Sequence, residues 1–388
     1  MKIVHIHLLG PYTDGWGYQE NILPAVQARQ GHEVIVITGC QTHLPDNSIT
    51  TVQPAEYEIE GVKIVRIQRK KIFGSELLSS VVFDYPIYEQ LKKFAPDVIL
   101  LHGLGRGKTN NAVKRYIKKN PQCILFGDTH VFDGNAERSK SLKTLLWRKF
   151  NDYFRKKLFK YYSAVFCISQ QCLDYARDVY KVPEDLLKIF PLGYDPAIIH
   201  WEKRDQIKKS FREKYNIGDD EIVIVHGGKI IPRRKTSMAV DAVLRLKGKV
   251  RLVVFGSIHE SIKQEIEEKF SLCDGLIYLG HLSKQEYINV FLASDIALFP
   301  GAQSSMWEEA IGCGLPLVLN STEKKDAIYY DHGGNVVFTS EDTLESFVDV
   351  LQQMIETKSY KEMAHIAATE GRSFFSYERI ADMMVRRY

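Results

Sequence analysis

The chain opens with Ile3-Val4-His5-Ile6-His7-Leu8-Leu9 and runs into Thr13-Asp14-Gly15-Trp16-Gly17-Tyr18-Gln19-Glu20. It continues through the helix-length stretch 21–30 and returns to an apolar run, Glu33-Val34-Ile35-Val36-Ile37-Thr38. The first and last pieces are continuous rather than alternating in apolar character, so both faces of each strand are buried. A strand, a glycine loop, a helix and a second buried strand read as one turn of a parallel sheet covered on both sides.

The same pattern recurs along the chain. Short Val- and Ile-rich runs lie at 62–67, 97–102, 124–128, 164–169 and 187–190. It then restarts at 221–226, 250–255, 276–279, 296–299, 316–319 and 335–338. Helical stretches at 86–94, 237–246 and 260–270 separate several of them, the first opening on Pro86. The expected fold class is α/β, with two doubly wound domains. Pro191-Leu192-Gly193-Tyr194-Asp195-Pro196 punctuates the join, which puts the domains at residues 1–192 and 193–373. Residues 374–388 read as a terminal helix, whose domain periodicity does not decide. Ligands of open α/β sheets sit at the carboxyl ends of strands, so two such units imply a cleft.

A length of 388 residues fits two cores. Lys+Arg 52 against Asp+Glu 48 leaves +4, which excludes a strongly basic nucleic-acid binder by bulk charge. No apolar run is long enough for a membrane span, and the N-terminus reads as a strand rather than a leader. The six cysteines form no CxxC and mostly sit in apolar runs, as buried thiols of a reducing cytosol do. That points to a cytoplasmic protein without a zinc site.

Five segments stand at strand ends. The Gly15/Gly17 loop precedes a helix N-terminus that suits an anion, or is a plain turn. Gly103-Leu104-Gly105-Arg106-Gly107-Lys108-Thr109 imitates a P-loop, but the first required glycine falls on His102. Asp128-Thr129-His130 offers a His for work on a substrate, or a His satisfied by a turn carbonyl. Gly227-Gly228-Lys229 is followed by Arg233-Arg234-Lys235, a set of cations suited to a diphosphate, or a solvated charge run. Ser304-Ser305 precede a short helix that holds Glu309 and ends at Gly314-Leu315-Pro316. The serines fit N-caps, with or without a phosphate or sugar at that end.

In this order the segments resemble the retaining, nucleotide-sugar-dependent glycosyltransferases of the GT-B fold, family four (group 1). The resemblance rests on Gly15-Trp16-Gly17 with Gly31-His32-Glu33-Val34, on Cys167-Ile168-Ser169, and on Gly193-Tyr194-Asp195. It rests further on Gly228-Lys229 with Arg234-Lys235, and on Gly256-Ser257. Ser294-Asp295 and Glu309-Ala310 through Cys313-Gly314-Leu315-Pro316 are its most specific pieces.

The resemblance implies two Rossmann-like domains, the first for the acceptor and the second for the donor. It assigns Lys229 and either Arg234 or Lys235 to the donor diphosphate, and Glu309 to the ribose hydroxyls. Ser304, Ser305, Gly228 and Gly256 join the donor site, and Gly15 and Gly17 let a first-domain loop close on it. His130, rather than Asp128, takes the place of the strand-end His, and Gly193 is the hinge. His130, Lys229 and Arg234 are thus the expected catalytic set, with no metal and no cofactor beyond the nucleotide-sugar substrate. The family often carries a second glutamate, separated from the Glu309 position by seven residues; here that position is Gly301. The implied reaction moves a sugar with retention to an acceptor hydroxyl, in cell-surface polysaccharide or glycolipid assembly. An epimerase, a phosphorylase-like enzyme or a nucleotide-sugar-binding protein without turnover would share the same fold.

Residues 138–160 are unlike the rest. They hold nine cations against Asp152 alone, with Leu, Phe, Trp and Tyr interleaved, so the remainder of the chain carries −4. Such a basic amphipathic helix either rests on an anionic membrane surface or packs with a solvated face. The first reading fits a lipid-linked acceptor and a peripheral place on the cytoplasmic membrane face; the expected acceptor is a carbohydrate or a lipid-linked one.

Overall fold

The computed structural model describes all residues except 45, 47, 133–141, 272, 274 and 387–388, and the side chains of 77, 142–146 and 325 are likewise left aside. It divides into two compact units: residues 1–191 together with 380–388, and residues 192–379.

The strands of the first unit are β1 (Lys2–His7), β2 (Glu33–Thr38), β3 (Gln41–His43), β4 (Ile49–Thr51), β5 (Ala55–Ile59), β6 (Val62–Arg66), β7 (Val98–Leu101), β8 (Ile124–Thr129), β9 (Tyr162–Cys167) and β10 (Leu187–Ile189). Eight of them form one sheet in the order β10-β9-β8-β7-β1-β2-β6-β5. All neighbours are parallel except β5 and β6, an antiparallel hairpin. It turns on Glu60 and Gly61, both at positive φ (50° and 76°), the backbone a primed hairpin turn demands.

The second unit holds β11 (Ile222–Gly227), β12 (Val250–Phe255), β13 (Leu276–Tyr278), β14 (Ile296–Phe299), β15 (Leu317–Leu319) and β16 (Val336–Phe338). They form a wholly parallel sheet, β13-β12-β11-β14-β15-β16. Its two faces bury alternate residues. Val223, Val225, Val253, Ala297 and Phe299 join one core cluster, and Ile224, Leu252, Val254, Ile296 and Leu298 the other. Each fully buried side chain of this size contributes roughly 1.5–3 kcal/mol. Continuous apolar runs are therefore what a two-faced core requires.

The strand order reverses direction between β1 and β7 in the first unit and between β11 and β14 in the second. Neighbouring loops diverge at such points and leave a crevice at the carboxyl edge.

The C-terminal stretch is not one helix. It forms Arg372–Phe375 and Tyr377–Met383, interrupted at Ser376, which is extended (φ −65°, ψ 129°). There Tyr194 N donates to Phe375 O and Tyr377 N donates to Tyr194 O, both at 3.0 Å. This bridge ties the stretch to the second unit as far as Arg379, beyond the expected limit at 373. The chain then enters the first unit, where Gln27 Nε2 meets Met384 Sδ at 3.4 Å. Five of the six cysteines are buried and Cys273 is exposed. Among the described residues no helix is long and apolar enough to cross a membrane.

Candidate active site

At the carboxyl edge of the second unit, three strand ends come together. Gly228 (φ 108°) follows β11, and Gly256 (φ 129°) follows β12. A Cβ on Gly256 would lie 1.7 Å from Gly228 O, so the two backbones touch only because Gly256 has no side chain. Gly256 thus acts through close packing. The Lys229 side chain, just beyond, is exposed and makes no ion pair among the described residues.

The loop after β14 reaches the same place. Gly301 presses on the backbone of Arg233 and Arg234, and Ala302 N donates to Arg233 O at 3.1 Å. Arg234 Nη1 donates to the carbonyl oxygens of Ala302 and Gln303. Burial, followed by the neighbouring Arg233, lowers the Arg234 guanidinium to about 10.

Lys235 turns away. It occupies the left-handed region (φ 52°) and pairs with Asp342 at 2.5 Å. Asp342 also accepts from Asn320 Nδ2 at 2.6 Å, and the same amide bonds Pro300 O at 2.9 Å. The structure therefore separates two cations that adjacency in sequence left equivalent. Arg234 holds the loop after β14, and Lys235 is engaged outside it.

Behind the loop lies the helix Met306–Gly312. Its first N–H bonds Ser304 Oγ at 3.3 Å, while Ser305 makes no capping bond. Of the two expected N-caps, only Ser304 serves. Glu309 Oε1 meets Lys284 Nζ at 3.0 Å, and Glu309 Oε2 is buried with no hydrogen-bond partner among the described residues.

Its neighbour Glu308 was not singled out from the sequence. Glu308 is buried, accepts from the Tyr330 hydroxyl at 2.5 Å, and is pushed up to about 8 by burial. Gln303 Nε2 donates to the hydroxyls of Tyr330 (2.9 Å) and Tyr329 (3.1 Å). The loop at 301–303 is thus gripped by Arg234 on its backbone and by a buried Tyr–Glu pair on its side chain. Within the strand below, His226 bonds Leu298 O (2.8 Å) and Thr236 Oγ1 (2.9 Å), and burial lowers it to about 4. That neutral imidazole joins strand to helix and is not a site residue.

The first unit's carboxyl edge has its own constellation. Asp128 Oδ2 accepts from His102 Nδ1 at 2.6 Å, and Asp128 Oδ1 accepts from Gly103 N at 2.7 Å. His102 Nε2 lies 3.1 Å from His5 Nδ1, and His5 Nε2 lies 2.7 Å from Gln27 Oε1. Although burial opposes it, the Asp128 charge raises His102, and the His102 charge outweighs burial to lower Asp128 well below the carboxylate range. Burial lowers His5 to about 3. A charged His102 then donates to a neutral His5, which donates to Gln27.

Asp128 is therefore fully engaged, and His130 is the group that faces out, 40% exposed and 3.9 Å from Asp128 Oδ2. Gly15 needs its glycine for φ 73°, whereas Gly17 has no such backbone. Asp14, beside them, is tied to Arg66 at 3.2 Å, and Trp16 stacks on His43 at 4.7 Å. In the P-loop imitation, the Thr109 hydroxyl donates to Phe83 O at 2.9 Å and Lys108 faces Asp84 at 4.0 Å. Neither points to a phosphate. Among the described residues no three His, Cys, Asp or Glu side chains are grouped to hold a metal ion.

The profile of Glycosyltransferase Family 4 matches residues 25–198, and that of Glycosyl transferases group 1 matches residues 207–373. This chain belongs to the group 1 glycosyltransferases. The D-inositol 3-phosphate glycosyltransferase of Stackebrandtia nassauensis is 22% identical over 228 residues, 54% of this chain, which spans about half (50%) of that relative's length. Among solved structures, Alr3699/HepE of Anabaena in complex with UDP is similar with TM-score 0.69 and 14% identity, over 99% of this chain and 98% of that one. Sucrose-phosphate synthase of Thermosynechococcus elongatus follows with TM-score 0.65 and 14% identity, over 99% and 97%. At these identities the likeness is one of fold, and that fold is GT-B.

Proposed function

We propose that this glycosyltransferase uses a nucleotide-diphosphate sugar and transfers the sugar with retention to a hydroxyl of a carbohydrate or lipid-linked acceptor, in cell-surface polysaccharide or glycolipid assembly. The observation that carries the reading is the second unit's switch point. There Lys229, with no ion pair among the described residues, and the Arg234-braced loop lie at the strand end where Gly228 takes a positive φ of 108°. A fold neighbour solved with UDP supports the same reading.

In this reading Lys229 and Arg234 take up the charge that grows on the departing nucleotide diphosphate, and these two cations supply the electrostatic work without a metal. Glu309 Oε2 receives a ribose hydroxyl. As the bond to the leaving oxygen stretches, the anomeric carbon gains oxocarbenium character. The acceptor hydroxyl attacks from the side of the leaving group and passes its proton to the departing phosphate oxygen, which preserves the configuration.

The test is a panel of nucleotide sugars followed for nucleoside diphosphate release, with the product linkage read by NMR. Release with one donor and an unchanged anomeric configuration is expected. Binding without release across every donor and acceptor would refute turnover, and an inverted linkage would refute retention.

A further inference from the structure

The first unit carries a second recess, far from the reacting edge. Lys114 and Lys118 project from the helix Gly107–Lys119, and Lys156 ends the helix Leu142–Lys156. With Lys157, Lys160 and the rings of Phe159 and Tyr161 they line a groove of about 770 Å³. Tyr162, also in the lining, starts β9, and Leu186 immediately precedes β10. The groove therefore opens at the amino edge of the sheet, while Asp128 and Thr129 end β8 at the opposite edge. A strand of six residues separates the two edges by about 20 Å.

Lys118 and Lys156, in the last turns of their helices, suit the helix dipole and alone need no further reason. Their convergence does. Five ammonium groups surround one recess, the lining offers Asp185 as its single carboxylate, and none of the five makes an ion pair among the described residues. Lys157 lies 3.6 Å over the Tyr153 ring and Lys160 lies 5.2 Å over Tyr161, contacts that leave the charge in place. The exposed Tyr153 hydroxyl responds to this field. Its pKa falls below the ordinary tyrosine value, through a hydrogen bond from Lys157 and the charges of Lys157 and Lys114. The expected basic stripe lies partly outside the described residues at 138–141. Of its described cations, Lys156, Lys157 and Lys160 line a concavity shared with the helix Gly107–Lys119, a shape that accepts a chain rather than a flat bilayer.

We propose that this groove binds an anionic glycan, a carboxylate- or phosphate-bearing stretch of the acceptor held about a strand's length from the reacting hydroxyl. The proposal rests on the glycosyltransferase reading for the word acceptor; the binding itself does not.

The test uses the whole chain and fluorescent oligogalacturonate, phosphorylated oligomannose and neutral dextran oligomers, followed by fluorescence polarisation. Saturable binding of at least one anionic oligomer and none of dextran is expected. Lys114→Ala/Lys118→Ala/Lys157→Ala should weaken that binding at least tenfold with nucleoside diphosphate binding unchanged, and which oligomer binds names the anion. No binding of either anionic oligomer, or equal binding by the variant, overturns the proposal. So does capture by phosphatidylglycerol vesicles through these lysines with no oligomer binding, which makes the groove a membrane contact. Loss of nucleotide-sugar turnover with oligomer binding intact would count against the proposed function alone.

Discussion

Gly301 stands where the family often places a glutamate, and the structure gives this substitution a steric reason that an alanine tests. A Cβ on Gly301 would lie 2.4 Å from Arg233 O, 2.4 Å from Arg234 C and 2.5 Å from Arg234 Cα. All three are backbone atoms, so no side-chain rotation relieves the clash. The loop after β14 must withdraw from residues 233–234. Overpacking of this kind costs about 1–3 kcal/mol. Withdrawal also strains the bond from Ala302 N to Arg233 O, worth another ~0.5–1.5 kcal/mol. A total near 3 kcal/mol lowers the melting temperature of a unit this size by roughly 6–12 °C. Because the displaced carbonyls are those that Arg234 holds, nucleotide affinity falls as well, by about tenfold for each 1.4 kcal/mol lost at the clamp. Calorimetry of Gly301→Ala and titration with the tightest-binding nucleoside diphosphate measure both. Gly301→Glu should fare no better, since it carries the same Cβ. A melting temperature within 1 °C of the parent together with affinity within twofold would refute the argument.

The clamp itself is tested by three single changes. Lys229→Ala and Arg234→Ala should each weaken nucleoside diphosphate binding by about 1.5–3 kcal/mol, while Lys235→Ala, which removes a half-exposed pair with Asp342, should cost under ~1 kcal/mol. Equal losses at 234 and 235 in titration calorimetry would undo that assignment. Glu308 carries a folded-state value raised from 4.5 to about 8, so its contribution to stability is complete below 4.5 and is lost as pH climbs toward 8. Denaturant midpoints of Glu308→Gln should decline less than the parent's across that window, and parallel curves would contradict it. The Asp128–His102 pair has two limbs. Asp128 is depressed, so its stabilisation is present above 3.8 and is lost as pH falls through its folded value. His102 is raised, so its stabilisation is complete below 6.5 and is lost as pH rises through its folded value. Asp128→Asn breaks a buried pair at a cost of about 3–5 kcal/mol near pH 5 and flattens both limbs of the first unit's stability profile; retained limbs would show that other groups make them.

How much of this was legible beforehand depended on whether the signal was local. Every long apolar run became a strand, because a sheet buried on both faces must be apolar without interruption. Strands β3, β4 and β5 escaped notice for the converse reason. Gln41–His43, Ile49–Thr51 and Ala55–Ile59 are short, polar and set outside the buried centre, and their register comes from turns rather than from a core face. The break at Ser376 was equally invisible, since it is imposed by Tyr194, which lies 182 positions earlier.

The candidate site divides along the same line. Strand-end glycines and cations announce themselves by spacing, so Gly228, Lys229 and Arg234 were found as types in a pattern. What each cation does depends on residues remote in sequence. Lys235 is paired with Asp342, and Asp128 with His102, with no short motif joining either pair. The buried Glu308 is the sharpest instance. Two adjacent glutamates on one short helix look interchangeable, yet Glu309 faces Lys284 while Glu308 accepts from Tyr330, each keeping one buried oxygen without a hydrogen-bond partner among the described residues. One step along the helix, about 100°, places one carboxylate beside Lys284 and the other against Tyr330 behind the loop that Arg234 holds. The support for a site is therefore written in the tertiary fold even when the site itself is written in the sequence.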